Sequence, residues 1–356
     1  MKLVVTGGGT GGHVFPALEV GREAQKRQFD VLYLGSLRGQ ERGICQRANM
    51  PFQGFVSEPL TSLKRPAGWK AAVNLLRATA QARKSLKTAR PDAVFSTGGY
   101  SSAPVVRAAI TLGIPFVLHE QNSVPGRSNL LTAKRAKWVA TTFYSAEAHF
   151  TGCRVERTGL PVRAELREAA MARHLLMDAY PMKVLVVGGS QGAAAINEAA
   201  LSVAQRMTRD LHWTHVTGRK HFETIFATYE KMGLGAIYQV KAFLEGKEMA
   251  DAYGEANLVI ARSGAGTLSE LAVFGLPSIL VPYPHAHANH QFHNAKEFEA
   301  MGAAVLIEQE SLHAAILEES LLKWVDVAAA RDSARSALAA WDVPDAADRI
   351  LKLIEN

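Results

Sequence analysis

Short apolar runs recur along the chain, each closed by glycine or by polar residues. Lys2–Thr6 reads as a strand entering a glycine-rich turn, with a helix from Val14. Val31–Leu34, Ala93–Ser96, Pro115–His119 and Val139–Thr142 repeat the strand pattern with helical stretches between them. The pattern restarts after Pro161, where Lys183–Val187, His212–Val216, Asn257–Ala261 and Ser278–Val281 read as strands. Strands alternating with helices predict parallel sheets covered on both faces, and such sheets bind ligands at the carboxyl ends of their strands. The glycine-rich and polar segments fall at those ends. A last helix over Ala346–Glu355 follows Pro344 and carries Ile350, Leu351, Leu353 and Ile354. The expected class is therefore α/β, with two doubly wound parallel-sheet domains and a boundary near Gly159–Arg163.

Length agrees, since 356 residues suit two domains of about 150 each. Hydrophobic residues make up 48% and charged residues 21%, as in ordinary globular chains. Runs such as Ala93–Phe95 and Pro277–Val281 are far below the roughly 20 residues that span a bilayer. Glycines from Gly7 interrupt any signal-peptide core, so a cytosolic chain is expected. Cys45 and Cys153 are too few and too far apart for a disulfide framework or a metal site.

Charge narrows the partners. The net charge of +7 suits an anion: nucleic acid, anionic lipid or a phosphorylated substrate. Between Leu60 and Pro91 lie Lys64, Arg65, Lys70, Arg77, Arg83, Lys84, Lys87 and Arg90 with no Asp or Glu. Leu63, Trp69, Val73, Leu75, Leu76 and Leu86 are interspersed. That mixture over 63–86 fits an anionic membrane surface, where apolar groups enter the headgroup layer and cations meet lipid phosphates. No nucleic-acid partner is expected. The alternative is a helix with a solvated basic face.

Three glycine-rich turns carry the candidate chemistry. Gly7-Gly8-Gly9-Thr10-Gly11-Gly12-His13 links a strand to a helix, whose N-terminus offers unpaired N–H groups and a positive dipole end. Gly7, Gly9 and Gly12 match the dinucleotide pattern. The next strand, however, ends Leu34-Gly35-Ser36 without the carboxylate that a nicotinamide cofactor's ribose requires. Gly188-Gly189-Ser190-Gln191-Gly192 repeats the device without P-loop spacing. Ser263-Gly264-Ala265-Gly266-Thr267 is the third, with Ser269 and Glu270 expected in the first turn of the following helix. Glu270 suits two ribose hydroxyls, and equally suits a helix dipole. His285, His287, His290 and His293 crowd one segment, but it has no Asp, Glu or Cys to complete a metal shell. A polar substrate loop using Asn289, Gln291 and Asn294 is the expectation there.

Together these segments resemble one family. Val5–Pro16, Thr97-Gly98-Gly99-Tyr100, His119-Glu120-Gln121-Asn122, Gly159–Arg163, Gly188–Ala193, Arg262–Leu271 and Asn289-His290-Gln291 look like the signatures of the MurG family of lipid I N-acetylglucosaminyltransferases. The resemblance runs from Leu3 to the final helix. It implies a GT-B fold of two Rossmann-like domains facing a cleft. Residues 1–162 would form an acceptor and membrane-associating domain, with a helix over 342–356 packing back on it, and 163–341 a donor domain. It implies UDP-N-acetylglucosamine as donor and lipid I (undecaprenyl-diphospho-N-acetylmuramoyl-pentapeptide) as acceptor. Lipid II would be the product, made with inversion, without metal or cofactor, at the cytoplasmic face of the cell membrane.

On the donor side the resemblance implies Thr10, Gly11, Gly12 and Asn122 near the sugar, and Arg163 and Ser190 at the diphosphate. The backbone of Leu244 would meet the uracil, Glu270 the ribose, and Gln291 sugar hydroxyls. Ala265, Gly266, Thr267, Leu268 and Ser269 would form the turn beneath. Leu244–Met249 reads as a longer loop than the family's. Gly9, Gly99, Tyr100 and Gln121 would face the acceptor. An inverting transfer needs a base, for which His13 is the first candidate and Glu120 the second. Glu120 could instead orient the loop around Asn122, and His13 could instead pack the turn. Rival readings are a diacylglycerol glycosyltransferase, a non-hydrolysing UDP-N-acetylglucosamine epimerase, and an idle UDP-sugar-binding regulator.

Overall fold

The computed structural model describes residues 1–57, 66–172, 181–189, 192–204, 206 and 210–356, with side chains described from Ala71 in the helix that begins at Pro66. The chain forms two compact units, Met1–Arg163 with Val343–Asn356, and Ala164–Asp342.

In the first unit the strands are β1 (Lys2–Thr6), β2 (Asp30–Ser36), β3 (Phe52–Phe55), β4 (Ala93–Ser96), β5 (Phe116–Glu120), β6 (Trp138–Thr141) and β7 (Val155–Arg157). The helices are α1 (Gly11–Lys26), α2 (Glu41–Arg47), α3 (Pro66–Ala89), α4 (Ala103–Leu112) and α5 (Arg127–Thr132). In the second unit α6 (Ala164–Ala172) precedes β8 (Met182–Val187), α7 (Ala194–Ala204), β9 (Leu211–Val216), α8 (Phe222–Lys231), β10 (Tyr238–Lys241) and α9 (Lys247–Glu255). β11 (Leu258–Ala261), α10 (Ala265–Val273), β12 (Ser278–Leu280), α11 (His290–Ala300), β13 (Ala304–Leu306), α12 (Ala314–Asp326) and α13 (Ala328–Trp341) complete it. The last helix, α14 (Ala346–Glu355), belongs to the first unit.

Among the described residues the sheets run β3-β2-β1-β4-β5-β6-β7 and β10-β9-β8-β11-β12-β13. Every pairing is parallel. The strand order reverses between β1 and β4 in one sheet and between β8 and β11 in the other. These switch points open a crevice at the carboxyl ends of the strands. The turns that leave β1, β4, β8 and β11 are the glycine-rich segments of the sequence.

All the strands expected from the sequence are interior strands. The unforeseen ones, β3, β7, β10 and β13, are the sheet edges. An edge strand is covered on fewer sides, so its apolar run is broken: FQGF and YQVK carry polar residues, and VER is half-buried throughout. Helix α1 starts at Gly11, earlier than Val14, because extended Thr10 caps it and its carbonyl accepts the His13 and Val14 amides.

Alternation along β1 divides the core of the first unit. Leu3 and Val5 join α1 and α14 on one face, and Val4 joins α3 and α4 on the other. Ile350, Leu351, Leu353 and Ile354 of α14 are all buried in the first of these faces. Arg27, which caps the end of α1, pairs with Asp348 and Glu355 of α14. Helix α3 turns Ala78, Ala82 and Leu86 to the sheet at i, i+4, i+8 spacing. Leu86 therefore belongs to the core and not to a membrane-facing surface. Leu63, Lys64 and Arg65, and the side chains of Trp69 and Lys70, lie outside the described residues.

Candidate active site

The first glycine-rich turn is clamped from every side. The Tyr33 hydroxyl donates to the Gly7 carbonyl at 2.6 Å, and the Gly9 amide donates to Glu41 Oε1 at 3.2 Å. The Tyr100 ring lies where a Cβ on Gly9 would sit, and Gly9 itself has φ +94°, so only glycine fits. The turn thus holds β1, α2 and the β4–α4 loop together.

His13 stands in the first turn of α1, half-buried. Its Nδ1 lies 2.9 Å from the Thr97 carbonyl, which can only accept, so Nδ1 carries the proton in the neutral ring. Nε2 then keeps its lone pair, as a base requires. Thr97 Oγ1 donates to the His13 carbonyl at 2.7 Å and fixes the backbone as well. Burial lowers the pKa of His13 from the ordinary 6.5, opposed by its bond to Thr97 and by the Gln121 side chain. The ring is therefore neutral at physiological pH.

Behind it runs a buried network. Gln121 Nε2 donates to the Thr97 carbonyl at 2.8 Å and to the His119 carbonyl at 2.9 Å. It also lies 3.1 Å from His119 Nδ1, and His119 Nε2 donates to the Gly159 carbonyl at 2.9 Å. Gln121 Oε1 is buried without a partner among the described residues. Burial pushes His119 down to about 4, and the neighbouring His13 adds to the shift.

Glu120 is a structural clamp. Oε1 accepts the Asn122 amide at 3.0 Å, while Oε2 accepts the Gly126 amide at 3.0 Å and Asn129 Nδ2 at 2.8 Å. With both oxygens committed and 2% of the residue exposed, it shapes the loop that presents Asn122. The sequence ranks His13 ahead of Glu120 as base, and the committed oxygens of Glu120 match its alternative role of orienting the loop around Asn122. Burial raises the pKa of Glu120 against the opposing hydrogen bonds. Arg163 closes the first unit with its guanidinium 5.2 Å from the Phe15 ring centre. Gly99, at φ +86°, packs against the His13 ring.

In the second unit, Gly188-Gly189 leaves β8, and the Gly192 amide returns to the Gly189 carbonyl at 2.9 Å. Ser190 and Gln191 lie outside the described residues. Asn197 of α7 donates to the Thr217 carbonyl and meets His215, whose other nitrogen meets the Tyr229 hydroxyl. These bonds lock α7 behind its turn.

Helix α10 begins at Ala265 with Gly264 as its cap. Glu270 is thus its sixth residue and not in the first turn as expected. The dipole explanation for this acid loses its force, since that effect fades within one turn. Its Oε2 accepts from the Tyr253 hydroxyl at 3.0 Å. Leu268 and Ser269 point inward at 0% and 2% exposure, which leaves Ala265, Gly266 and Thr267 at the helix start.

Arg262 donates to the Val281 and Pro282 carbonyls and to Gln309, and so holds the loop after β12. Ser263 Oγ donates to the Gln291 carbonyl at 2.7 Å, and Gln291 Oε1 accepts the Tyr283 amide at 2.9 Å. Asn294 is fully buried, donating to the Ser263 carbonyl, so it is a scaffold residue and not a sugar ligand. Asn289, in the left-handed region at φ 53°, is exposed. Leu244 is half-buried in a loop that ends at Gly246, because α9 starts at Lys247. Half of the stretch expected as a long loop, Lys247–Met249, is helix. Among the described residues no three His, Cys, Asp or Glu side chains form a metal-binding group.

Comparison with known proteins now adds to this geometry. Residues 3–141 match the glycosyltransferase family 28 N-terminal domain, and residues 183–350 its C-terminal domain. The whole chain aligns, at 35% identity over 365 residues and 98% of its relative, with the UDP-N-acetylglucosamine–N-acetylmuramyl-(pentapeptide) pyrophosphoryl-undecaprenol N-acetylglucosamine transferase of Bacillus licheniformis. The chain belongs to the MurG family. The crystal structure of Acinetobacter baumannii MurG superposes with TM-score 0.79 at 29% identity, covering 99% of both chains. A UDP-N-acetylglucosamine 2-epimerase from Neisseria meningitidis reaches TM-score 0.72 at 12% identity over both full chains, which shows a shared fold alone. The MurG family signature His119-Glu120-Gln121-Asn122 is thus a working unit: Gln121 braces Thr97 and meets His119, and Glu120 shapes the loop of Asn122. Sequence reasoning missed Glu41, Tyr33 and Tyr253 as parts of these turns. No local spacing announces them, because each arrives from a different element.

Proposed function

We propose that this protein transfers N-acetylglucosamine from UDP-N-acetylglucosamine to the C4 hydroxyl of the muramyl sugar of lipid I, with inversion, giving lipid II and UDP. The full-length identity with MurG-family transferases carries this reading. The chemistry follows from the chain's own groups. His13 Nε2 takes the proton of the acceptor hydroxyl as that oxygen attacks the anomeric carbon. Thr97 holds the ring in the required tautomer. The start of α10 supplies N–H groups and a dipole to the charge growing on the leaving diphosphate. Glu270 holds the ribose, and Gln291, its Oε1 already committed, offers its amide N–H to sugar hydroxyls. In this reading Asn122 contacts the donor sugar and the Leu244 backbone the uracil.

The acceptor carries a polyprenyl chain, so the enzyme must meet a membrane. No helix among the described residues is long and apolar enough to cross one. Helix α3 instead exposes Val73 (44%) and Leu76 (62%) beside Arg77, Arg83, Lys84 and Lys87. This face docks on anionic lipid at the cytoplasmic side.

The test is transfer of labelled N-acetylglucosamine to a short-chain lipid I analogue in EDTA, with diacylglycerol competing. Disaccharide product on the muramyl acceptor alone is expected. Product on diacylglycerol alone would overturn the acceptor, and no product at all would overturn the reaction.

A further inference from the structure

Thr217 follows the last residue of β9, fully buried, and holds the segments on either side of it. Strand β9 lies between β8 and β10, so the turns that leave these three strands are neighbours. Toward β10, the Thr217 amide donates to the Lys241 carbonyl at 3.0 Å. Its hydroxyl proton is shared between that carbonyl, at 3.3 Å, and the Gly218 carbonyl, at 3.2 Å. Two residues on, the Arg219 guanidinium lies 5.2 Å from the Phe243 ring centre, a second tie to the loop after β10. Toward β8, the Thr217 carbonyl accepts Asn197 Nδ2 at 2.9 Å. A Cβ on Gly192 would lie 2.5 Å from the same carbonyl oxygen, so the glycine-rich turn after β8 rests directly on the Thr217 peptide. Asn197 is itself anchored. With Nδ2 turned to Thr217, its Oδ1 accepts from His215 Nε2 at 3.0 Å, and His215 Nδ1 accepts the Tyr229 hydroxyl at 3.0 Å. All three of these side chains are buried.

Neighbouring strands lie about 4.8 Å apart, so β8 and β10 stand about 10 Å apart with β9 as the spacer. The proposed donor carries its uracil and its diphosphate at opposite ends of one ribose. On that reading the Leu244 backbone meets the uracil, and the turn after β8 faces the diphosphate. We propose that Thr217 is a positioning residue that fixes the distance between these two stretches, so that one nucleoside diphosphate engages both at once. The inference rests on the donor reading and adds to it the part that couples its two halves. Joining two fragments raises affinity only where the joined molecule matches the span of their sites. A loosened spacer therefore costs the whole nucleotide its advantage and leaves the contacts of each fragment intact. The Thr217 amide and carbonyl survive any side-chain change, so the hydroxyl is the part that a substitution can remove. A hydrogen bond of this kind is worth roughly a factor of two to ten.

The test is binding of UDP and of uridine to the full chain, in wild type and in Thr217→Val, which keeps the shape of the side chain and loses the hydroxyl. Calorimetry should show UDP binding about fivefold more weakly to Thr217→Val than to wild type. Chemical-shift titration with the Leu244 amide as reporter should show uridine binding equally to both. Thr217→Ser keeps the hydroxyl and should restore the affinity for UDP. Equal UDP affinity in wild type and Thr217→Val overturns the proposal, as does a Thr217→Ser that binds no better than Thr217→Val. A loss of uridine binding as large as the loss of UDP binding also overturns it, since a general loosening of the fold gives that result. If uridine leaves the Leu244 amide of wild type unmoved, the proposal falls. If UDP leaves it unmoved too, the donor reading falls with it.

Discussion

The last helix should decide whether the first unit folds. Residues Val343–Asn356 are separated in sequence from Met1–Arg163 by the whole second unit, yet α14 places Ile350 and Leu351 at 0%, Leu353 at 4% and Ile354 at 2% exposure in the first unit's core. Burying each such side chain contributes about 1.5–3 kcal/mol, so the four together contribute roughly 6–12 kcal/mol. A domain's net stability is about 5–15 kcal/mol, so deleting the segment removes most or all of it. The Arg27 pairs with Asp348 and Glu355 add little, being part-exposed. Ile350→Ala is the graded version. It should cost about 2–5 kcal/mol, or roughly 2–4 °C of melting temperature per kcal/mol in a unit of this size. The assay is amide hydrogen exchange. After deletion of Val343–Asn356, β1, β5 and β6 should lose protection while β8, β9 and β11 keep theirs. Unchanged protection in β1 after the deletion would refute the reasoning, and equal loss in both sheets would refute its confinement to one unit.

Further expectations concern the site. His13→Ala should lower kcat by about 10²–10⁴, the usual worth of a general base, with UDP affinity unchanged by calorimetry; equal losses in both would remove the base role. Because burial lowers the His13 pKa, the acid limb of kcat/KM should lie below pH 6.5, and a limb above 6.5 would contradict the assignment. His119 and His215 are each held neutral, at about 4 against 6.5 for a free imidazole. The unfolded chain therefore takes up their protons first, and the stability they confer is whole above pH 6.5 and lost between 6.5 and 4, on the order of 3 kcal/mol for each. Urea midpoints at pH 7 and 4.5 test this, and equal midpoints would count against it. Glu270→Gln should weaken UDP binding about a hundredfold, if two ribose hydroxyls donate to the carboxylate. The loss should be much smaller for 2′-deoxy-UDP, and an equal loss for both nucleotides would dismiss the ribose contact.

The sequence by itself determined the interior of each sheet, because strands buried on both faces must be continuous apolar runs, and Leu3–Val5, Val184–Val187 and Leu258–Ala261 are such runs. It also placed the glycine-rich turns, since chain reversal and close backbone approach demand glycine locally. It marked α14 as an amphipathic helix through the spacing of Ile350, Leu351, Leu353 and Ile354. Those signals need no partner from elsewhere in the chain. Tertiary structure alone decided the edge strands, where β3, β7, β10 and β13 owe their conformation to a neighbour and not to their own residues. It also decided the roles of polar side chains. Glu120 is saturated by donors from Asn122, Gly126 and Asn129, Asn294 is spent on the Ser263 carbonyl, and Glu270 lies beyond the reach of the dipole. Glu41 reaches Gly9 across 32 residues, and Thr97 reaches His13 across 84. A carboxylate or a carbonyl becomes clamp, ligand or counter-charge according to which atoms surround it, and folding brings those atoms from distant parts of the chain.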